Sequence, residues 1–387
     1  MKFKRYKLKD LSIGGGSYGI GASAVEYDKK LYTYLRITDI NEDGTLNYKD
    51  MMSVNDPKAN KYILKKNDIC FVRTGNSTGK TYFYDGGIEN LVYAGFLIKF
   101  SIDEEKVNPK YVKYYIMTSK YKNWVKEIQT GSTRGNINAK MYGNLEILIP
   151  ERAYQDKLVT VLDKITDKIK YNTQTNDNLY KMMKIKFKDW ITNLNKYEVS
   201  SLSKIANYTN GLAMQKFRPK DNEESLPVIK IKEMNDGITE NTERCSTNIK
   251  DEVIINNGDV LFAWSGTLCM SIWGKGKAGL NQHIFKVTSD KYPKWFYYFW
   301  TLKHLNKFKM IAAGKATTMG HIKRGELDIS EVLIPEDKEL QEMHKIMQPL
   351  FNKYINNLIQ NETLTQLRDT LLPKLMNCEI DLDKIEN

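Results

Sequence analysis

Two stretches of the chain carry apolar residues alternately four and three positions apart, which is the pattern of a long amphipathic helix. They cover residues 152–196 and 336–387. In both, the apolar series is interrupted at the same point by two asparagines, Asn172 and Asn176 in the first and Asn357 and Asn361 in the second. Polar residues in a helix seam cost stability but select register and partner. The pattern predicts a pair of long antiparallel coiled-coil helices, each of about 40 residues and about 60 Å.

The two helical stretches differ in charge. The first carries 10 basic and 5 acidic side chains, and the second carries 6 and 10. Opposite charges favour pairing of the two helices with each other. The second stretch contains Pro349 and Pro373, at which we expect the helix to kink or end.

The remaining residues, 1–151 and 197–335, consist of short apolar, β-branched and aromatic runs between Gly, Asn and Asp, which is typical of β-rich domains. The second region repeats segments of the first in the same order, so the chain is an internal duplication. The predicted fold class is α+β, with two β-rich domains separated by the helix pair. The matching segments are 34–37 and 228–231, 67–71 and 258–262, 108–111 and 292–295, 130–138 and 313–323, and 147–150 and 332–335.

Composition narrows the function classes. The 387 residues carry a net charge of +12, which suits a polyanionic partner such as nucleic acid. No apolar run is long enough for a membrane span, and no secretory signal follows Met1. Cys70, Cys245, Cys269 and Cys378 show no paired spacing, so we expect a reducing cytoplasmic location and no bound metal.

Two glycine-rich motifs imitate nucleotide sites. Residues 14–19 match the glycines of a dinucleotide fingerprint, but the long strand and the helix that this fingerprint requires are not indicated around them. Residues 75–81 approach a phosphate-binding loop, yet strand-like residues follow them, whereas that loop must open a helix. We expect a polar, basic hairpin that contacts a DNA backbone; an NTP-dependent enzyme using this loop is the rival interpretation.

The duplicated arrangement resembles the specificity subunit of type I restriction–modification systems over essentially the whole chain. Two departures are visible: the second copy lacks a counterpart of Tyr18-Gly19-Ile20, and Gln341 stands one residue out of step with Gln155. The segments that carry the resemblance are 18–20, 34–40, 131–137, 148–150 and Gln155 in the first half, and 314–322, 332–335, Gln341 and 371–375 in the second.

The resemblance implies a non-catalytic reader of double-stranded DNA. Each β-rich domain would be a target recognition domain that reads one half of a bipartite, asymmetric site, and the helices would set the gap between the halves. The helices would also dock two methyltransferase subunits, which bring S-adenosylmethionine and methylate adenine; this chain itself would bind no cofactor. A restriction subunit would join for cleavage.

Side chains that can donate or accept at base edges, or anchor phosphates, are the candidate contacts. Arg134 and Lys315, in the repeated Gly/Thr-rich run, are the first choices. The candidates of the first half are Arg36, Arg73, Asn76, Thr78, Lys80, Ser132, Thr133, Arg134, Asn136 and Asn138. Those of the second half are Lys230, Ser265, Gln282, His283, Lys315, Thr317, Thr318, His321, Lys323 and Arg324.

Besides the NTP-dependent enzyme, two rivals remain open at this point. One is a subunit of a related system that cuts on both sides of a bipartite site. The other is a coiled-coil adaptor whose basic domains bind DNA with strong salt dependence and no sequence preference.

Overall fold

The computed structural model describes residues 3–48, 50–130, 135–314 and 320–382. The chain divides into two compact units. Unit 1 comprises Met1–Ile165 and Leu367–Asn387, and unit 2 comprises Thr166–Gln366. Each unit therefore combines one β-rich domain with parts of both long helices.

Unit 1 contains ten strands and three short helices among its described residues, and the first long helix begins in it. The strands are β1 (Lys4–Lys7), β2 (Ser12–Tyr18), β3 (Ala24–Val25), β4 (Tyr32–Leu35), β5 (Met52–Val54), β6 (Asp68–Val72), β7 (Thr81–Tyr84), β8 (Leu91–Tyr93), β9 (Leu97–Ile102) and β10 (Glu146–Ile149). The helices are α1 (Pro109–Tyr115), α2 (Ser119–Thr130), α3 (Ala139–Gly143) and the long α4 (Arg152–Thr192).

Unit 2 repeats most of this order of elements. Its strands are β11 (Tyr197–Ser201), β12 (Asn207–Asn210), β13 (Ser225–Ile229), β14 (Arg244–Ser246), β15 (Ile254–Ile255), β16 (Val260–Ala263), β17 (Cys269–Ile272), β18 (Ala278–Leu280), β19 (Ile284–Thr288) and β20 (Glu331–Pro335). Its helices are α5 (Leu202–Ile205), α6 (Ile231–Asp236), α7 (Lys294–Ala313), α8 (Gly325–Asp328) and the long α9 (Asp337–Met376).

The sheets show the duplication directly. Unit 1 has a β1-β10 pair and two four-stranded sheets of order β2-β9-β6-β7 and β3-β5-β4-β8. Unit 2 has a β11-β20 pair and sheets of order β12-β19-β16-β17 and β14-β13-β18-β15. In each unit one neighbouring pair is parallel, β4 with β8 and β13 with β18. The predicted duplication and the α+β fold class are confirmed.

The long helices pack on each domain through their apolar seam. In unit 1, Leu158 and Leu162 of α4 share a buried core with Leu372 and Leu375 of α9. In unit 2, the buried core contains Met183 and Phe187 of α4 together with Met343, Met347 and Phe351 of α9. Burial of apolar side chains at both ends is the main stabilising contribution to such long helices.

The second helix does not end at its prolines. Helix α9 continues through Pro349 and Pro373, so of the two outcomes expected at these prolines, a kink or an end, the end does not occur. Each proline removes one backbone hydrogen bond. Buried neighbours on either side, such as Phe351 in unit 2 and Leu372 in unit 1, hold the helix by packing in spite of that loss.

Candidate nucleic-acid interface

In unit 1, three segments of backbone meet at the end of strand β6. The Arg73 amide donates to the Phe96 carbonyl, 3.1 Å away, in the turn between β8 and β9. The Ile137 amide, ahead of α3, donates to the Arg73 carbonyl at 3.0 Å. We name the residues Tyr18, Arg73, Thr74, Phe96 and Asn136 the unit 1 corner.

The side chains of the unit 1 corner are aromatic and polar. The guanidinium carbon of Arg73 lies 4.9 Å from the centre of the Tyr18 ring, a cation–π contact. Thr74 Oγ1 donates to Asn136 Oδ1 at 2.7 Å, and the Phe96 side chain is 59% exposed. The Nε atom of Arg73 is buried without a hydrogen-bond partner. The corner thus combines hydrogen-bonding groups with exposed apolar surface.

The charges around the unit 1 corner are partly compensated. Lys99 Nζ lies 3.3 Å from Asp68 Oδ2 and faces the Tyr93 ring. Tyr93 shares a hydrogen bond of 2.9 Å with Ser17, and burial raises the pKa of Tyr93 to about 12. Tyr93 is therefore a neutral phenol at physiological pH, and Asp68 balances the charge of Lys99.

Unit 2 builds the same backbone arrangement with other side chains. The Trp264 amide donates to the His283 carbonyl at 3.2 Å, and the Ile322 amide donates to the Trp264 carbonyl at 3.1 Å. Ser265 and His321 pair as an isolated antiparallel bridge. We name Trp264, Ser265, Gln282, His283 and His321 the unit 2 corner.

The unit 2 corner is built from an indole and two imidazoles. The Trp264 ring centre lies 6.0 Å from that of His283 and 6.3 Å from that of His321. Trp264 Nε1 and His283 Nδ1 are buried without a hydrogen-bond partner. Gln282 Nε2 lies 3.3 Å from His283 Nε2. This corner presents ring nitrogens where the unit 1 corner presents a guanidinium.

A glycine lies beneath each corner. The Gly19 amide donates to the Leu97 carbonyl at 3.2 Å, and the Gly211 amide donates to the Ile284 carbonyl at 3.1 Å. A Cβ at either glycine would lie within 2.3 Å of two backbone carbonyl oxygens, so no other residue fits without movement of the strands. Asn210-Gly211-Leu212 is thus the structural counterpart of Tyr18-Gly19-Ile20, and the expectation that the second copy lacks one is wrong.

An ion pair is repeated behind each corner. Lys286 Nζ lies 3.2 Å from Asp259 Oδ2, as Lys99 does from Asp68 in unit 1. Each aspartate also accepts a backbone amide three residues earlier, from Lys65 and from Asn256, at 2.8 Å in both cases. The sequence comparison aligned the two aspartates but missed this role, although their recurrence in both copies was a signal for it.

Several candidates of the first half are occupied by contacts within unit 1. Arg36 donates to both carboxylate oxygens of Asp39 and to the Asp50 carbonyl. Lys80 pairs with Glu42 at 2.9 Å, Thr78 donates to the Gly75 carbonyl, and Asn138 caps α3. Asn76 is exposed. Arg73 and Asn136 belong to the corner, while Ser132, Thr133 and Arg134 lie outside the described residues.

The second half divides in the same way. Lys230 Nζ lies 2.5 Å from Glu243 Oε2, and Arg324 donates to the Tyr208 carbonyl at 2.6 Å. Lys323 is exposed. Ser265, Gln282, His283 and His321 belong to the unit 2 corner. Lys315, Thr317 and Thr318 lie outside the described residues.

Four residues of the corners were not singled out as candidates from sequence: Tyr18, Thr74, Phe96 and Trp264. The available signal was their position in the repeat. Arg73 directly follows β6 and Trp264 directly follows the matching strand β16, so a candidate in one copy points to the equivalent residue in the other. Aromatic side chains in a predicted turn are a further signal, because they gain little from exposure to water.

The glycine motifs are parts of strands and turns. Residues 14–16 lie in β2, where the register against β9 shifts between Ile13 and Ser17, so they form a bulge. Residues 75–80 connect the antiparallel strands β6 and β7, which agrees with the predicted hairpin. No helix begins at either motif, so neither presents the amides that cradle a phosphate.

The four seam asparagines meet in unit 2. Asn172 Nδ2 donates to Asn361 Oδ1 at 2.9 Å, and Asn357 Nδ2 donates to Asn176 Oδ1 at 2.9 Å. Along this stretch α4 and α9 are antiparallel, since the higher number on one helix meets the lower on the other. The contacts are reciprocal: the first asparagine of each copy bonds the second of the other.

The glutamines of the two copies differ in role. Gln155 is buried, accepts from the Asn108 amide at 2.9 Å and donates to the Pro150 carbonyl at 2.8 Å. Gln341 is exposed. The one-residue offset seen in the sequence therefore separates a buried structural glutamine from a surface one.

Two negative findings apply to the parts of the chain that the structure describes. No helix there is long and apolar enough to cross a membrane. No three His, Cys, Asp or Glu side chains there gather to hold a metal ion.

Comparison with known proteins gives a consistent result. Residues 2–181 and 195–366 each match the family described as type I restriction modification DNA specificity domain. The MjaIX type I restriction enzyme specificity subunit of Methanocaldococcus jannaschii is 24% identical over 73% of this chain and 72% of its own length. The HindI specificity subunit of Haemophilus influenzae is 22% identical over 90% of this chain and 95% of its own.

A solved structure shares the fold. The type I restriction–modification S subunit from M. genitalium superposes with a TM-score of 0.56 at 14% identity, and the match covers 97% of this chain and 96% of that one. The likeness thus extends over nearly the whole chain.

Proposed function

This chain belongs to the family of type I restriction–modification DNA specificity domains, and on that premise we propose that it is the subunit that reads DNA sequence in such a complex. It binds a bipartite, asymmetric site on double-stranded DNA, and each unit reads one half. Partner subunits carry out adenine methylation and cleavage.

The single observation that carries this proposal is the pair of corners. Both have the same backbone hydrogen bonds, but their side chains differ. Arg73 and Asn136 of unit 1 are replaced in unit 2 by Trp264 and His321. Base pairs differ in the donors and acceptors that they present in the major groove. Two equal frameworks with different donors are suited to two different half-sites, which makes the whole site asymmetric.

The net charge supports binding to a polyanion. A surplus of 12 positive charges favours release of counterions from DNA, and lysines and arginines at exposed positions would contact phosphates and set register. Base discrimination then falls to the corners, whose side chains are aromatic, guanidinium, hydroxyl, amide or imidazole rather than lysine.

Exposed apolar residues on the long helices support docking of partner proteins. Tyr171 and Ile185 of α4 are each 60% exposed, and large apolar side chains on a helix surface are typical of protein interfaces. We assign this surface to two methyltransferase subunits, which would bring S-adenosylmethionine; a restriction subunit would join the same complex. The chain itself contributes no catalytic residue and binds no cofactor.

The test is adenine methylation mapped at single-base resolution. The chain is expressed together with its methyltransferase subunits in a host that lacks other adenine methyltransferases. We expect one bipartite motif with unlike halves, which disappears when this chain is omitted. Methylation without a sequence motif, or a motif unchanged in the absence of the chain, would overturn the proposal.

A further inference from the structure

Buried side-chain atoms without a hydrogen-bond partner are concentrated at the corners. Among the described residues five such atoms occur, and three of them are Arg73 Nε, Trp264 Nε1 and His283 Nδ1. Buried polar atoms are normally satisfied, so each exception calls for an explanation. Arg73 and Trp264 occupy the same position of the repeat, which points to a common cause: this position is built to meet something outside the chain.

Among the described arginines, only Arg73 and the exposed Arg218 make no side-chain hydrogen bond, and Arg73 is the partly buried one of the two. Its guanidinium makes no hydrogen bond to any described residue, and its contact is the face of the Tyr18 ring. Six other arginines donate to oxygen atoms of the protein: Arg5, Arg36, Arg152, Arg244, Arg324 and Arg368.

The position of Arg73 is nevertheless well defined. Its amide and carbonyl are both hydrogen bonded, to Phe96 and Ile137, and Tyr18 supports the guanidinium from one side. The Tyr18 hydroxyl in turn accepts the Ala139 amide at 3.2 Å. A long side chain held at its base and along one face loses little freedom on binding, which favours a specific contact.

A guanidinium offers several donors and no acceptor, so its partner must present acceptors alone. In the major groove, guanine presents two adjacent acceptors, O6 and N7, and Arg is the side chain that most often binds both. A phosphate is the other possible partner. The surroundings favour a base, because the neighbouring cation Lys99 is already paired with Asp68 and the exposed ring of Phe96 adds apolar surface.

We infer that Arg73, supported by Tyr18, reads a guanine in the half-site bound by unit 1. Trp264, with one ring N–H, cannot bind both acceptors of a guanine, so the matching position of the other half-site is read differently. This inference rests on the proposed function and deepens it by naming a base and the residue that selects it.

The experiment is the methylation map of the complex, repeated with R73A and R73K and with R5A as control. Arg5 lies in β1, is 66% exposed and pairs with Glu146, so R5A removes the same charge from another sheet of unit 1. Lysine keeps the charge of Arg73 but not its fork. We expect R73A and R73K to lower the preference for guanine at one position of one half by about tenfold or more, while the other half and the R5A motif stay unchanged.

Two outcomes with folded variants contradict the inference. A uniform loss of methylation at an unchanged motif in R73A that R73K restores identifies a phosphate contact. An unchanged motif at normal occupancy in both variants shows that Arg73 reads nothing, provided that thermal unfolding finds both folded. If the Arg73 variants do not fold, Y18L is tested instead. This variant keeps Arg73 but removes the ring that supports it, so the guanine preference should weaken. An unchanged preference in Y18L overturns the inference. A wild-type complex without any motif overturns the proposed function itself.

Discussion

The unit 1 corner and the unit 2 corner have the same backbone and different side chains. In both, the residue after a central strand donates to a carbonyl in the next turn and accepts from the segment ahead of a short helix. Around these bonds, Arg73 corresponds to Trp264, Phe96 to His283 and Asn136 to His321. The parts that repeat are therefore those that hold the chain in place.

The repeated features beneath the corners support the same conclusion. Both copies keep a glycine against two carbonyl oxygens and an aspartate paired with a lysine, and both features are contacts within the fold. Buried constraints of this kind are shared because both copies need the same fold, whereas the proposed function requires the corner side chains to differ, because each would meet its own half-site.

The largest expected effect on stability comes from the repeated ion pair. Both copies pair an aspartate with a lysine, but the lysine of unit 2 has a second acceptor. Asp68 is 1% exposed and accepts from Lys65, Lys99 and Ser101. We expect D68A to lower the free energy of unfolding of unit 1 by about 4 kcal/mol, since Lys99, whose side chain is only 18% exposed, loses its counter-charge. D259A should cost unit 2 about 2 kcal/mol, because Lys286 still donates to the Ile254 carbonyl.

Denaturant unfolding monitored by hydrogen exchange, with peptides assigned to each unit, measures both changes. D68N and D259N serve as controls that keep the side-chain shape and one acceptor oxygen. Equal losses in D68A and D259A would mean that the additional acceptor of Lys286 contributes nothing.

The two glycines test whether the frame is the same in both copies. G19A and G211A should each destabilise their own unit by about 3 kcal/mol. The added Cβ would clash with backbone carbonyl oxygens, which cannot move without shifting the strands. G21A is the matched control: its Cβ would meet nothing within 4 Å, so we expect a change below about 0.5 kcal/mol. Thermal and denaturant unfolding report all three; tolerance of G211A alone would show that the frames differ.

A smaller difference between the units is expected in how their stability depends on pH. All four histidines belong to unit 2: His283, His304, His321 and His344. Burial, reinforced by Lys303 and Lys307, lowers the pKa of His304 from its ordinary value of 6.5. The unfolded chain therefore binds the proton more readily, and unit 2 loses stability as the pH falls below about 6.5.

Hydrogen exchange at pH 7.5 and 5.5 checks this expectation. Unit 2 should become less protected relative to unit 1, and H304Q, whose amide can still donate to the Glu331 carbonyl, should reduce the difference. An unchanged difference in H304Q would assign the effect to other groups.

The large features of the fold could be predicted from sequence because they depend on period and repetition. Apolar residues four and three apart indicated α4 and α9, and matched asparagines indicated that these helices meet. The hairpin at residues 75–80 followed from the strand-like residues behind it. Each of these predictions uses a local pattern or its repetition in the second copy.

The corners could be predicted only in part, because their contacts join residues far apart in sequence. The sequence around Arg36 does not show whether its side chain contacts DNA or pairs with Asp39, as it does in the structure. The one available signal was that Lys230 and Glu233 have the same spacing in the second copy. Gly211 was missed because Asn210-Gly211-Leu212 and Tyr18-Gly19-Ile20 have only the glycine in common. A single shared glycine is too weak a signal to align two segments.

The amide-to-carbonyl bonds that join each corner make no demand on the identity of the residue at position 73 or 264. On the proposed function, a few codon changes at these places would alter the base that one unit recognises and leave the other unit and the long helices unchanged. Lineages that carry such a protein would in this way acquire a new methylation motif by point mutation, with the same fold.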